Sequence, residues 1–171
     1  MARLRGSDIG ASEQLAVAMP PGPRWLDVLT EAWSADAAIL PVDHRLPAAE
    51  ADGLVARARP TVVLEPDGGV RRLTNGAPVE RDIRLVMATS GTSAQPRLVE
   101  LTEDAIRAAL GASAQRIGGQ PEDPWLCCLP VAHIGGMLVL VRAVLHRARV
   151  VVRPSFDASP TVLRSSAASG W

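Results

Sequence analysis

The chain has 171 residues, 47% of them hydrophobic and 21% charged, a length and composition that suit one globular domain or slightly more rather than a disordered chain. All 18 basic residues are Arg, so no Walker-type phosphate lysine, Schiff-base lysine or lysine-based adenylation chemistry comes from this chain. They balance 18 acidic residues, and with four Trp, one Phe and no Tyr there is neither the charge nor the stacking platform of a nucleic-acid or anionic-membrane binder.

The first residues carry Arg3 and Arg5, but Asp8, Ser12, Glu13 and Gln14 interrupt any apolar run, so no signal peptide is predicted. The longest uncharged apolar run, Ile134 to Val141, is too short to span a bilayer, and a cytoplasmic location is expected. Cys127 and Cys128 are adjacent and are read as two small buried hydrophobes. Their number excludes a disulfide framework and a Cys-x-x-Cys zinc site, and no metal ligands are predicted.

In chain order, Leu15-Ala-Val-Ala-Met19 reads as a buried strand ended by the turn Pro20-Pro-Gly-Pro23. Trp25, Leu29, Ala32 and Trp33 follow helical spacing, and Ala37-Ala-Ile-Leu-Pro-Val42 reads as a second strand. Pro47 suits the first position of a helix whose stripe is Ala51, Leu54, Val55 and Ala58. Glu50 near its start and Arg57 and Arg59 near its end match the helix dipole. After Pro60, Thr61-Val-Val-Leu64 is a third strand. Strands alternating with helices over short connections predict parallel pairing.

Asp67-Gly-Gly69 is a turn, and Val70 to Val79 reads as an irregular or hairpin excursion. Leu85-Val-Met-Ala88 is a fourth strand, followed by a polar loop and then Leu98-Val-Glu-Leu101. Thr102 caps the next helix, with Glu103 and Asp104 in its first turn and Ile106, Leu110 and Ile117 on one face. Trp125-Leu-Cys-Cys-Leu129 is a further strand, Met137 to Leu145 a buried helix, and Arg149-Val-Val-Val152 a strand. From Ser165 to Trp171 no closing element is predicted. The fold class expected is α/β: a mainly parallel layered sheet with flanking helices.

The loop Thr89-Ser-Gly-Thr-Ser-Ala-Gln-Pro-Arg97 concentrates the chemistry. Four hydroxyls (Thr89, Ser90, Thr92 and Ser93), the backbone N–H groups around Gly91 and the guanidinium of Arg97 suit a polyphosphate cradle. It is not a Walker A loop, because no Gly-Lys-Ser ending precedes a helix. The same residue types also make an ordinary connector, and composition alone leaves both readings open. His133, with Gly135 and Gly136 after it, is either a site residue or a satisfied histidine at a strand-to-helix junction. His44 and His146 read as surface residues, Asp43 and Asp104 as caps, and the arginines mostly as helix ends and solvated faces.

Thr89-Ser-Gly-Thr-Ser-Ala-Gln-Pro-Arg-Leu-Val99 resembles the Thr-Ser-Gly-Thr-Thr-Gly-x-Pro-Lys-Gly-Val signature of the acyl-adenylate-forming superfamily, which includes the acyl-CoA synthetases. Leu129-Pro-Val-Ala-His-Ile-Gly-Gly136 is similar to that family's Leu-Pro-x-x-His-x-x-Gly segment. Residues 125–142 look most like o-succinylbenzoate–CoA ligases, and the resemblance extends over nearly the whole chain. Ala94, Arg97 and Leu98 stand where the family has Gly, Lys and Gly.

The resemblance implies that residues 1–171 are a partial N-terminal adenylation domain, without the later motifs or the C-terminal lid. It implies an ATP-dependent acyl-CoA synthetase acting on a small carboxylic acid, with ATP, Mg2+ held largely by residues outside this chain, and CoA. Thr89, Ser90, Gly91, Thr92, Ser93 and Arg97 would bind ATP phosphates, and His133, Gly135 and Gly136 would lie at the acyl or CoA pocket. No catalytic residue is assigned. The chain alone would be catalytically incomplete, acting with a complementing chain. The rival reading is a non-catalytic nucleotide- or acyl-binding remnant or truncated product.

Overall fold

The structure, a computed structural model, describes residues 9–89, 96–118 and 123–153. The elements run β1 (Gln14–Val17), α1 (Arg24–Ser34), β2 (Ala38–Pro41), α2 (Ala48–Ala58), β3 (Val62–Leu64), β4 (Val70–Arg72), β5 (Ile83–Thr89), β6 (Arg97–Thr102), α3 (Glu103–Ile117), β7 (Trp125–Cys127), α4 (Ile134–His146) and β8 (Val150–Val152).

Six strands form one sheet in the order β4-β3-β1-β2-β5-β6. The inner four pair in parallel, as the strand–helix alternation predicts, with Leu15 opposite both Ile39 and Val62, and Ile39 opposite Leu85. Both edges are antiparallel. β4 folds back on β3, so the excursion after Asp67 is a hairpin, and β6 folds back on β5 with Thr89 opposite Arg97. β7 and β8 form a separate parallel pair joined through α4. The α/β, mainly parallel expectation holds.

Side chains on successive strand residues face opposite ways, and the core divides accordingly. Leu15, Val17, Ile39, Leu85 and Met87 join a cluster with the inner faces of α1, α3 and α4. Ala16, Ala38, Leu40, Val63 and Val86 share the other cluster with Leu54 of α2. The chain steps from β1 to β2, then back past β1 to β3. With one crossover handedness, opposite directions put α1 and α2 on opposite faces. Trp25, fully buried, anchors α1 to the preceding turn by donating its indole N–H to the carbonyls of Met19 (3.3 Å) and Pro20 (3.1 Å).

Several local expectations need correction. Pro47 is the residue before α2 rather than its first member, because its ψ of 142° is extended. Ile117 is 61% exposed, since α3 meets the core only through Ile106 and Leu110. β7 ends at Cys127, which leaves Cys128 half-buried and Leu129 53% exposed. Asp104 accepts no hydrogen bond from a described residue. The α3 cap is Thr102, whose hydroxyl accepts from the Ala105 N–H at 3.1 Å.

Two arginines are buried rather than solvated. Arg84 is held by Asp36 (2.6 Å), Glu103 (3.2 Å) and the Arg81 carbonyl (3.0 Å). Arg142 lies 4.1 Å over the Trp125 ring and donates to the Ser113 hydroxyl at 2.8 Å.

Candidate functional site

In an open α/β sheet the carboxyl ends of neighbouring parallel strands leave a crevice where the chain departs to different sides. Here β2 and β5 are such neighbours: the chain leaves β2 for α2 and leaves β5 for the hairpin into β6. A cleft of about 830 Å³ opens at that point. Pro41 and Asp43 line it beyond β2, Ala88 and Thr89 at the end of β5, and Pro96 on the returning strand. Its far wall is the α2 stripe Glu50, Gly53, Leu54 and Arg57, and Ala132 and His133 close it.

The two sequence motifs, 44 positions apart at Thr89 and His133, therefore meet in one cleft. Of the predicted phosphate loop, Ser90, Gly91, Thr92 and Ser93 lie outside the described residues, while both ends of the loop are placed. Thr89 faces the cleft, and its hydroxyl sits 3.4 Å from the Arg97 carbonyl it donates to. Arg97 is exposed at the start of β6, beside the cleft-lining Pro96. Its guanidinium has no partner among the described residues.

His133 is the residue before α4, with extended backbone (φ −106°, ψ 144°). Its N–H donates to the Pro130 carbonyl and its carbonyl accepts from Met137, each at 3.0 Å. The exposed imidazole is engaged by no described group, so it is available to a ligand. Gly135 sits on the exposed first turn of α4. Gly136 is buried, and a Cβ there would lie 2.5 Å from the Pro130 oxygen and 2.7 Å from the Leu129 oxygen. Neither glycine lines the cleft. Gly136 lets the loop that carries His133 lie against the helix, so its place in the structure is packing.

Sequence reading missed the wall contributed by the segment after β2. Asp43 caps the turn after β2 rather than the start of α2. Its carboxylate accepts from the Arg45 N–H and Nε, each at 3.0 Å, and from Arg45 Nη2 at 2.8 Å. Those bonds hold its pKa down at about 2, so it is a fixed negative charge. His44 Nδ1 is 3.7 Å from the same carboxylate. A hollow of about 300 Å³ adjoins here, sharing Asp43 and Ala132 with the cleft and lined also by His44, Arg45 and Val131. Arg57, which suits the helix dipole, also lines the cleft, and its guanidinium has no partner among the described residues. The available signal was positional: these residues follow the carboxyl end of a parallel strand.

Chemically, the cleft combines a hydroxyl, an uncommitted imidazole and a free guanidinium with apolar walls, as small-molecule sites do. Among the described residues no group of three or more His, Cys, Asp or Glu side chains could hold a metal ion, and no helix is long and apolar enough to cross a membrane.

Residues 65–167 match the family described as AMP-binding enzyme. The chain is 35% identical over 114 residues to a probable 2-succinylbenzoate–CoA ligase of Mycobacterium tuberculosis, covering 67% of this chain and 28% of that one. It is 32% identical over 78 residues to the 2-succinylbenzoate–CoA ligase of Bacillus cereus, covering 46% of this chain and 16% of the relative. Its fold superposes on the o-succinylbenzoate CoA synthetase of Bacillus subtilis in complex with an acyl-adenylate intermediate, with a TM-score of 0.75 at 20% identity. That superposition covers 92% of this chain and 47% of the other. The chain thus spans less than a third of these curated relatives and about half of the solved structure.

Proposed function

The chain belongs to the AMP-binding enzyme family, and on that premise we propose that it is the N-terminal portion of an ATP-dependent acyl-CoA synthetase. The carrying observation is the meeting of Thr89 and His133 in one cleft at the carboxyl ends of β2 and β5. In the proposed reaction a substrate carboxylate oxygen attacks the α-phosphorus of ATP. The bond to the bridging oxygen breaks, and acyl-AMP forms as pyrophosphate leaves. The CoA thiol then loses its proton, attacks the acyl carbon and expels AMP.

The first step places negative charge on the departing pyrophosphate, and a fixed cation with aligned donors stabilises that charge. Thr89, Ser90, Thr92 and Ser93, the N–H groups around Gly91 and the Arg97 guanidinium are the groups proposed for this. His133 is proposed to bound the acyl side of the cleft, with Gly135 and Gly136 shaping its approach. Mg2+ is proposed to arrive with the ATP phosphates. The described residues offer no cluster of their own for it, and no step is assigned to it.

The acyl substrate is proposed to be a small carboxylic acid of the 2-succinylbenzoate type, a class supported by what the relatives are named for. A cytoplasmic site of action fits such soluble substrates. A complementing polypeptide is proposed to supply the remainder of the reaction.

The test is exchange of labelled pyrophosphate into ATP, with 2-succinylbenzoate present. The chain is assayed alone and mixed with the separately produced C-terminal remainder of a 2-succinylbenzoate–CoA ligase. The reading expects little exchange alone and carboxylate-dependent exchange in the mixture. A mixture that stays inactive while the chain binds neither ATP nor the acid contradicts it.

A further inference from the structure

A third hollow, of about 350 Å³, lies between the end of α2, the 77–79 segment and the α2-facing side of β5 and β6. Its residues do not belong to the motif-bearing cleft, apart from Arg57, which lines both. Gln14, the first residue of β1, lines it and is only 2% exposed.

The main chain of Gln14 is committed. Its N–H donates to Thr61 Oγ1 at 3.3 Å, and its carbonyl accepts from the Thr61 N–H at 3.0 Å and hydroxyl at 3.2 Å. Its carboxamide has no partner among the described residues. The amide is not sealed in the protein interior: it borders the hollow, where its two donors and one acceptor are open to whatever occupies that space.

The rest of the hollow is built to match. Val79, Val86 and Leu98 give it an apolar wall. Arg57 lines it, and its guanidinium has no partner among the described residues. Arg59 lines it too, and among the described residues its guanidinium bonds only through Nε, to the Asn75 carbonyl at 3.2 Å. Glu100 comes from β6 and would repel an anion, which directs the negative end of a ligand toward the α2 side. Guanidinium pairs favour planar or tetrahedral oxyanions.

We propose that this hollow is a second small-molecule site. It takes a compact ligand with an oxyanion at Arg57 and Arg59, an apolar ring or short chain against Val86 and Leu98, and an uncharged hydrogen-bonding end on Gln14. The oxyanion is a carboxylate or a phosphate ester. The site stands apart from the adenylation reading, because Gln14, Arg59 and Leu98 do not line the cleft.

The test is NMR titration of the full chain, isotope-labelled, with 4-hydroxybenzoate, benzoate and phenyl phosphate. The Gln14 side-chain amide resonances report directly. Both 4-hydroxybenzoate and phenyl phosphate should shift resonances of residues lining the hollow, and their relative affinities identify the carboxylate or phosphate source. 4-Hydroxybenzoate should bind several-fold more tightly than benzoate and shift the Gln14 amide. Gln14→Leu should erase that preference while leaving ATP binding unchanged. Arg57→Ala should weaken all three probes about ten- to a hundredfold. Failure of every probe to shift residues of the hollow at millimolar concentration overturns the proposal. So does a Gln14→Leu chain that keeps the preference for 4-hydroxybenzoate. If Gln14→Leu fails to fold, the wild-type Gln14 amide decides alone.

Discussion

Gly136 lies so close beneath Pro130 that a Cβ at position 136 would sit 2.5 Å from the Pro130 carbonyl oxygen. The contact sets the path of the backbone just before His133, whose N–H bonds the same carbonyl at 3.0 Å. Because the clashing atoms are backbone, no side-chain rotation relieves them. Gly136→Ala is therefore expected to destabilise the chain by about 1–3 kcal/mol and to displace the His133 loop. Urea unfolding gives the first quantity. Gly135→Ala is the control, because its Cβ would meet only the Leu129 side chain, at 3.3 Å.

His133 is exposed, and its side chain makes no bond to a described residue. His133→Ala should leave the unfolding midpoint nearly unchanged. If His133 bounds the acyl side of the cleft, the substitution should weaken binding of 2-succinylbenzoate and leave ATP binding intact. Calorimetric titration with each ligand separates the two. Equal loss of both would move His133 to the nucleotide.

Much of this fold was legible in the sequence because its signals are local. The strand–turn–helix rhythm from Leu15 to Leu64 encodes the parallel sheet, whereas the composition of the hydroxyl-rich loop after β5 fits a phosphate cradle and an ordinary connector alike. The antiparallel return of β6 was not legible. Leu98 to Leu101 is apolar enough for a strand in either direction, and only the hairpin geometry decides. Nor were the buried arginines. Arg84 has a side chain 10% exposed, but the Asp36 that compensates it is 48 positions away, so the pairing is visible only in three dimensions. The cleft wall of Asp43, Glu50 and Arg57 was hidden for the same reason.

That Arg84 cluster makes a pH-dependent prediction. The Glu103 pKa is lowered, first by its hydrogen bond from Arg107 and then, after an opposing burial effect, by Arg84. A carboxylate held below its ordinary value contributes stability above that value and loses it as pH falls through the lowered one. Arg84→Met should cost about 1–3 kcal/mol at neutral pH, where the carboxylates of Asp36 and Glu103 lose a buried partner. The difference from wild type should shrink as Glu103 protonates. Denaturation midpoints for both chains across the acidic range check the sign.

The paired cysteines should differ in reactivity. Burial pushes the Cys127 thiol up to about 11, so it is neutral and shielded at neutral pH. Cys128, outside the strand, is half-buried. Iodoacetamide with peptide mass mapping should label Cys128 well before Cys127 in the folded chain, and both together once it is unfolded.

Calorimetric titration of ATP and pyrophosphate reads out whether the segment between β5 and β6 holds nucleotide phosphate, as proposed. Wild type should bind both. Arg97→Ala should lose about ten- to a hundredfold in affinity, because a charge-assisted contact is worth about 1.5–3 kcal/mol. Thr92→Ala should lose less, since a neutral hydroxyl contributes about 0.5–1.5 kcal/mol. Circular dichroism should report all three chains equally folded. A folded wild type that binds neither ligand at millimolar concentration, or an Arg97→Ala chain that binds as tightly as wild type, would show that nucleotide phosphate is not held there.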